Sequence, residues 1–334
     1  MRALATRWIL LLGLSPVLSG QVQVDPTLPA YTRVKGVAGN LKSVGSDTMN
    51  NLLARWAEGF RAFYPNVEVE VEGHGSSTAP PALIEGTAAL GPMSREMKSV
   101  EIDQFEASFG YKPLLLRAGV DMLAVYVNKD NPIAQRGLTI AELDAIYSKT
   151  RKAGHPRAIR TWGDLGLTGD WAEQPISVYS RNSASGTYGF FKQRVLKDGD
   201  FRDEVKEQSG SSSVVQGVAR DRFAIGYSGM GYATADVVAV PIGRRAEAMV
   251  VAAPENVRTY PLCRFLLVYV NYEPNSRLDP LRREFLRYAF SRDGQTAVVQ
   301  DGYLPLDFAQ CQRTLASIGV TVQPADARGS GKGN

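Results

Sequence analysis

The chain has 334 residues, of which 44% are hydrophobic and 22% charged. That composition excludes a disordered chain and permits two lobes of ordinary size, each with its own core. The net charge of +4 falls to about +2 if Arg2 and Arg7 leave with a cleaved leader, too slight a balance to argue for nucleic acid or a charged membrane surface as a partner.

Residues 1–20 read as a secretory signal peptide. Arg2 and Arg7 form the positive start, Trp8 to Leu14 a short apolar core, and Pro16 to Gly20 a small-residue end. The apolar run is too short for a comfortable membrane span, so the mature chain is expected to be periplasmic or secreted. No Cys lies near Gly20–Gln21 to carry a lipid. Residues 21–40, with Pro26, Pro29, Gly36 and Gly39, read as an extended arm.

A short strand, Leu41 to Val44, feeds the loop Ser43-Val44-Gly45-Ser46-Asp47-Thr48-Met49. The next helix, Asn50 to Phe63, carries Leu52, Leu53, Trp56, Phe60 and Phe63 at helical spacing, which is a core stripe. Val67 to Glu72 alternates Val and Glu, so it reads as a strand with three solvated carboxylates on one face. Gly73-His74-Gly75-Ser76-Ser77-Thr78 follows, then a helix near Pro80 to Gly86. His74 reads as a surface residue beside that loop. Thr87 to Met93 is a third strand, running into Ser94-Arg95-Glu96-Met97-Lys98 and a helix from Ser99 to Phe109. Arg95 reads as a structural ion-pair partner.

Leu114 to Val127 is the longest β-rich run of the first half, and Tyr260 to Asn271 is its mate. Both end in Tyr-Val-Asn, and they are expected to carry the chain out of one lobe and back. Between them come an expected helix from Leu138 to Tyr147, the Trp162 turn, and a strand from Ile176 to Tyr179. Helices are expected over Tyr188–Leu196, Phe201–Glu207 and Val214–Asp221, with strands over Phe223–Ser228 and Val237–Ile242. Two helices, Pro280–Phe290 and Gly294–Gln300, follow the return strand. The expected organisation is lobe one over 36–126 and 262–322, lobe two over 127–261, and a disordered tail over 323–334. Strands alternating with helices imply an α/β fold with two mostly parallel sheets, whose ligand lies at the carboxyl ends of strands. Cys263 and Cys311 could pair in an exported protein, or Cys263 could be a small buried hydrophobe. Two Cys and two His far apart do not make a zinc site, and no metal or cofactor is expected.

The richest stretch runs from Val178 through Arg181-Asn182-Ser183-Ala184-Ser185-Gly186-Thr187 to Phe191. A helix N-terminus carries unpaired N–H groups and partial positive charge, which suits an anion. Ser185 and Thr187 add hydroxyls, Gly186 admits close approach, and the Arg181 guanidinium matches phosphate or carboxylate. Taken alone, this loop is equally a Ser-capped surface helix. Three such β–loop–helix corners together point to helix N-termini converging on one small oxyanion.

Ser43-Val44-Gly45-Ser46-Asp47-Thr48, Gly75-Ser76-Ser77-Thr78, Gly91-Pro92-Met93-Ser94-Arg95, Thr161-Trp162-Gly163-Asp164-Leu165 and Arg181 to Thr187 occur in that order. Together they resemble the phosphate-binding protein of phosphate ABC importers, in the periplasmic binding protein superfamily, over residues 36 to 310. The resemblance implies a two-lobed type II fold closing on one inorganic phosphate, a membrane permease as partner, and a monomer that is not an enzyme. Carried over, the contacts are Ser46 and Thr48, then Ser76, Ser77 and Thr78, then Ser94, then Arg181, Ser185, Gly186 and Thr187. Many members of that family place an Asp where Ser94 stands, to accept the proton of hydrogen phosphate and reject sulfate. Asp47 is the nearest candidate for that role here. A binder of another oxyanion (sulfate, molybdate, tungstate), a secreted phosphatase using Ser46 or Ser185, and an adhesion protein on the same fold remain alternatives.

Overall fold

The structure is a computed structural model and describes residues 22–325. The expected signal peptide, and all but the first three residues of the expected tail, lie outside the described residues. The expected α/β class is found, but in place of two mostly parallel sheets the described residues form sheets of two, three and seven strands, and the largest is mainly antiparallel because the long outgoing and returning strands pair at its centre. In the first part of the chain the elements are β1 (Gly39–Val44), α1 (Asn50–Phe63), β2 (Val67–Glu72), α2 (Ala79–Ile84), β3 (Gly91–Met93) and α3 (Ser99–Phe109). The long β4 (Leu114–Asn128) leads to α4 (Ile133–Arg136), β5 (Leu138–Thr139), α5 (Ile140–Tyr147), β6 (Ser177–Arg181) and α6 (Gly186–Arg194). Then come β7 (Lys206–Gln208), α7 (Ser211–Arg220), β8 (Ala224–Gly229), β9 (Val237–Ala239), β10 (Ile242–Gly243) and β11 (Met249–Val250). The return strand β12 (Cys263–Val270) is followed by α8 (Pro280–Ala289), α9 (Arg292–Gln300) and α10 (Phe308–Ala316).

β4 is the spine. Leu114 to Met122 pairs antiparallel with β12, and Leu123 to Asn128 pairs antiparallel with β8 and β9. Antiparallel pairing follows directly from a chain that leaves on one long strand and returns on the other. The parallel pairs lie elsewhere: β1 with β2, β6 with β7 and β8, and β5 with β10.

Buried side chains divide into two large cores. One takes Leu28 to Ala118 and Leu266 to Ile318; the other takes Met122 to Leu262, with Leu304 inserted from the far end. The change of core thus falls between 118 and 122 on β4, and between 262 and 266 on β12. In the first core the α1 stripe is fully used. Phe60 is completely buried and lies 4.8, 5.3 and 5.7 Å from the rings of Tyr64, Phe285 and Tyr288. Trp56 also finds an acceptor for its indole N–H in the Gly294 carbonyl, at 2.9 Å.

Two local expectations are corrected. Leu138 and Thr139 are outside α5, because Thr139 caps it: its hydroxyl accepts the Glu142 N–H while the Glu142 carboxylate accepts from Thr139 N. Residues 201–207 are not helical. Lys206 to Gln208 instead adds a parallel strand to β6, with the Lys206 ammonium 4.9 Å from the Tyr179 ring. A further helix that the sequence reading did not include, α10, is held by an Asp307–Gln310 capping box. Cys263 and Cys311 are free thiols packed against different cores, and burial pushes them up to about 11 and about 12.

Asp301 follows α9 and is largely buried, so its carboxyl is pushed up to about 6, with Arg55 at 3.3 Å partly opposing the shift. The folded chain then holds this proton more tightly than the unfolded chain does. Its contribution to stability is intact below the ordinary carboxylate range and is lost as pH rises through about 6. Urea unfolding at a series of pH values is expected to show this decline between pH 4 and 6, and Asp301→Asn is expected to flatten it. Phe60→Ala should cost about 3–5 kcal/mol of unfolding free energy in the same assay.

Candidate functional site

The loops after β1, β2 and β3 are laced together by backbone. Gly45 N–H donates to the Glu72 carbonyl at 2.9 Å, Ser46 N–H to Pro92 O at 2.8 Å, and Gly75 N–H to Gly45 O at 2.8 Å. A side chain at Gly45 would put a carbon 2.2 Å from Pro92 O, so only glycine permits this approach. Three strand ends are thereby brought to one point.

At that point six of the expected residues meet. Ser46 Oγ donates to Ser94 Oγ at 3.1 Å, Ser76 Oγ lies 3.4 Å from Ser94 Oγ, and Ser94 N–H donates to Ser76 Oγ at 3.0 Å. From the other core, Thr187 Oγ1 lies 2.9 Å from Thr48 Oγ1 and 3.4 Å from Ser94 Oγ. A carbon added at Gly186 would be 2.2 Å from Ser76 Oγ, so the first turn of α6 sits directly on the hydroxyls. All five hydroxyl-bearing residues are buried. Thr48 is fixed through its carbonyl, which accepts from Tyr303 and Tyr232 at 2.8 and 3.2 Å. Ser185 caps α6, its Oγ accepting from Thr187 N and Tyr188 N.

Arg181, at the end of β6, is 1% exposed. Its Nη1 donates to Ser211 Oγ at 2.7 Å and lies 3.1 Å from Asp47 Oδ1, and Nη2 donates to the Ser209 carbonyl at 2.8 Å. Its Nε is buried without a hydrogen-bond partner in the protein. Burial lowers this guanidinium below the ordinary arginine value, against the pull of Asp47. Asp47 Oδ1 also accepts from the N–H and hydroxyl of Ser211, both at 2.9 Å. A carboxylate from the loop after β1 is thereby tied to the N-terminus of α7, on the far side of the chain crossing.

Two expected residues turn away. Ser77 accepts from Arg95 Nη2 at 3.2 Å, and Arg95 itself forms a bidentate pair with Glu101. Thr78 donates its hydroxyl to Gly75 O within its own loop. His74 is exposed, 3.8 Å from Glu72.

Sequence reasoning missed a second guanidinium. Arg264 on β12 donates through Nε and Nη2 to Asp121 Oδ2 on β4, at 2.9 and 2.8 Å. Its Nη1 donates to the Ser94 carbonyl at 2.9 Å and its Nη2 to Thr187 Oγ1 at 3.0 Å. Asp121 Oδ1 accepts from Met230 N–H at 3.1 Å. The pair is buried and sits where the chain changes cores. Charges inside the two β-rich runs, Arg117 and Asp121 in the first and Arg264 in the second, were the available signal. Ser211, just ahead of the expected Val214–Asp221 helix, was missed as well.

Three corners and a helix N-terminus crowded around buried hydroxyls, beside the two strands that cross between the cores, define an oxyanion-binding module of the binding-protein class. A family model described as a PBP superfamily domain matches residues 32–293. The phosphate-binding protein PstS of Pseudomonas aeruginosa strain PAO1 is 52% identical over 305 residues, which cover 90% of this chain and 94% of the relative. Protein SphX of Synechococcus elongatus is 26% identical over 270 residues, 78% of this chain and 76% of the relative. A solved structure from Clostridium perfringens, described as a phosphate ABC transporter substrate-binding protein with bound phosphate, superposes with a TM-score of 0.67. It is 25% identical and covers 80% of this chain and 100% of that one. An ABC-type phosphate transport receptor from Vibrio cholerae shares the fold at a TM-score of 0.61 and 23% identity, covering 80% of this chain and 100% of that one. The chain belongs to the PBP superfamily and, within it, to the family of the phosphate-binding protein PstS.

Removing one member of a buried ion pair strands the other. Asp121→Leu and Arg264→Met are each expected to cost about 3–5 kcal/mol in urea unfolding, and the double variant much less than their sum.

Proposed function

We propose that this chain binds inorganic phosphate outside the cytoplasm, between a lobe formed by residues 36–126 and 262–322 and a lobe formed by 127–261, and delivers it to the permease of an ABC importer. The observation that carries this reading is Arg181: a buried guanidinium with an unpartnered Nε, beside hydroxyls and a helix N-terminus gathered from four separate segments. A buried donor without an acceptor is costly, by about 1–3 kcal/mol. A tetrahedral oxyanion supplies acceptors in every direction and replaces its lost water with donors from both lobes. The division of buried side chains into two cores, and the relatives' own phosphate-binding names, support the same reading.

Ser46, Thr48, Ser76, Ser94, Gly186 and Thr187 would surround the anion, with Ser185 holding the first turn of α6 in place. Asp47 aims Arg181, and its second oxygen is the candidate acceptor for a phosphate proton. Contacts drawn from both lobes are complete only when the cleft is shut, so phosphate favours the closed form, which the permease would recognise. No membrane-crossing helix is found among the described residues. Neither Ser46 nor Ser185 has a histidine partner: their hydroxyls bond Ser94 and the α6 amides. Nucleophile activation needs such a base, which favours binding over phosphate-ester hydrolysis.

Calorimetry with inorganic phosphate is the test. Each charge-assisted bond is worth about 1.5–3 kcal/mol, so Arg181→Ala should weaken binding by at least about tenfold. Arg181→Lys should rescue only part of the loss, since an ammonium lacks the fork. Unchanged affinity in Arg181→Ala would reject the assignment, and tighter binding of sulfate than of phosphate would favour the other oxyanions.

A further inference from the structure

A cavity of about 1420 Å³ opens onto the hydroxyl cluster, with the buried Ser94, Ser185 and Arg264 among its lining. Its walls come from both sides of the chain crossing and are strongly basic. Lys98 and Arg117 contribute from the first side, and Lys192, Arg194 and Lys197 from the second. Some of this charge is already matched: Lys192 pairs with Asp200 at 3.0 Å, Arg95 with Glu101, and Arg264 with Asp121. Lys98, Arg117, Arg194 and Lys197 form no ion pair among the described residues, while the lining carboxylates are Glu96 and Asp198. Two of the free cations are held on aromatic faces. The Arg117 guanidinium lies 4.6 Å from the Phe265 ring centre, and that of Arg194 lies 5.7 Å from Phe190. Phe190 also carries Arg264, at 5.2 Å. Such stacking fixes a guanidinium without neutralising it.

We infer that this basic cavity is the entrance through which the anion reaches the site, and that its unpaired cations set the rate of capture. The inference rests on the phosphate-binding reading. The chain as a whole carries only a small net charge, so attraction of an anion at long range must come from a local field. A concave wall of one sign, backed by low-dielectric protein, focuses that field and raises association rates by about 10–10³-fold. Ions screen it: the Debye length is about 10 Å at 0.1 M salt and about 3 Å at 1 M. The cations stand outside the hydroxyl cluster, so they act on arrival and not on the bound anion. Dissociation is therefore independent of them.

The experiment measures association and dissociation of inorganic phosphate, by stopped-flow fluorescence or by rapid filtration with radiolabelled phosphate, across a salt series. The triple variant Arg117→Gln, Arg194→Gln, Lys197→Gln is compared with a control that removes the same charge away from the cavity: Lys35→Gln, Arg61→Gln, Arg157→Gln. Thermal unfolding of all three proteins verifies that each is folded. In the cavity variant the association rate is expected to fall about tenfold at low salt, with dissociation within about twofold and the difference vanishing near 1 M salt. The control is expected to follow the parent chain. Equal slowing in both variants, a salt-independent association rate in the parent chain, or a change confined to dissociation would overturn the inference while leaving phosphate binding intact. Absence of phosphate binding by the parent chain in calorimetry would overturn the functional reading, and the inference with it.

Discussion

The Asp121–Arg264 pair sits at the one place the chain must cross twice. Two buried charges in the middle of an antiparallel strand pair need complete compensation, because either one alone would be expensive to bury. Asp121 neutralises Arg264 and accepts the Met230 amide, while Arg264 uses its remaining donors on Ser94 O and Thr187 Oγ1. Compensation of the pair therefore fixes one loop from each core at the same spot. The hydroxyl cluster is positioned by the electrostatic needs of the strands beneath it.

A second link of the same kind lies on the other side of the cluster. Asp47 comes from the loop after β1, and Arg181 and Ser211 come from β6 and α7. One carboxylate oxygen accepts from the Ser211 N–H and hydroxyl and pairs with Arg181 Nη1, which helps hold the guanidinium with its Nε turned toward no protein acceptor. Both guanidiniums are thus oriented by carboxylates, and both act across the boundary between cores. Arg264 touches the cluster directly, through Ser94 O and Thr187 Oγ1, while Arg181 donates to Ser211 at the start of α7. Their roles differ: one has its donors satisfied by protein, and the other keeps one in reserve.

The cleft corners were legible because they are local. A glycine that lets one backbone pass against another, a Ser that caps a helix, and a hydroxyl two residues further on are specified within a handful of positions. Gly45, Ser185 and Gly186 could be picked out for that reason. The aromatic stripe of α1 was legible because helical period alone places Trp56 and Phe60 on one face. Capping chemistry at Thr139 was equally local and was overlooked, so α5 was drawn two residues too long.

What the sequence by itself determined is the kind of chain this is: a globular α/β protein of alternating strands and helices, with Gly- and Ser-rich corners and one arginine suited to an oxyanion. Only the tertiary structure decided which corners meet, that Thr78 and Ser77 turn aside, and that Arg264 joins them. The reason is register. Asp121 and Arg264 lie 143 positions apart, and nothing within either strand says which residue of the other it will face. A strand shifted by one residue would turn Arg264 to the opposite side of the sheet. That choice is made by the packing of both cores around β4 and β12 together, which no short stretch of sequence contains.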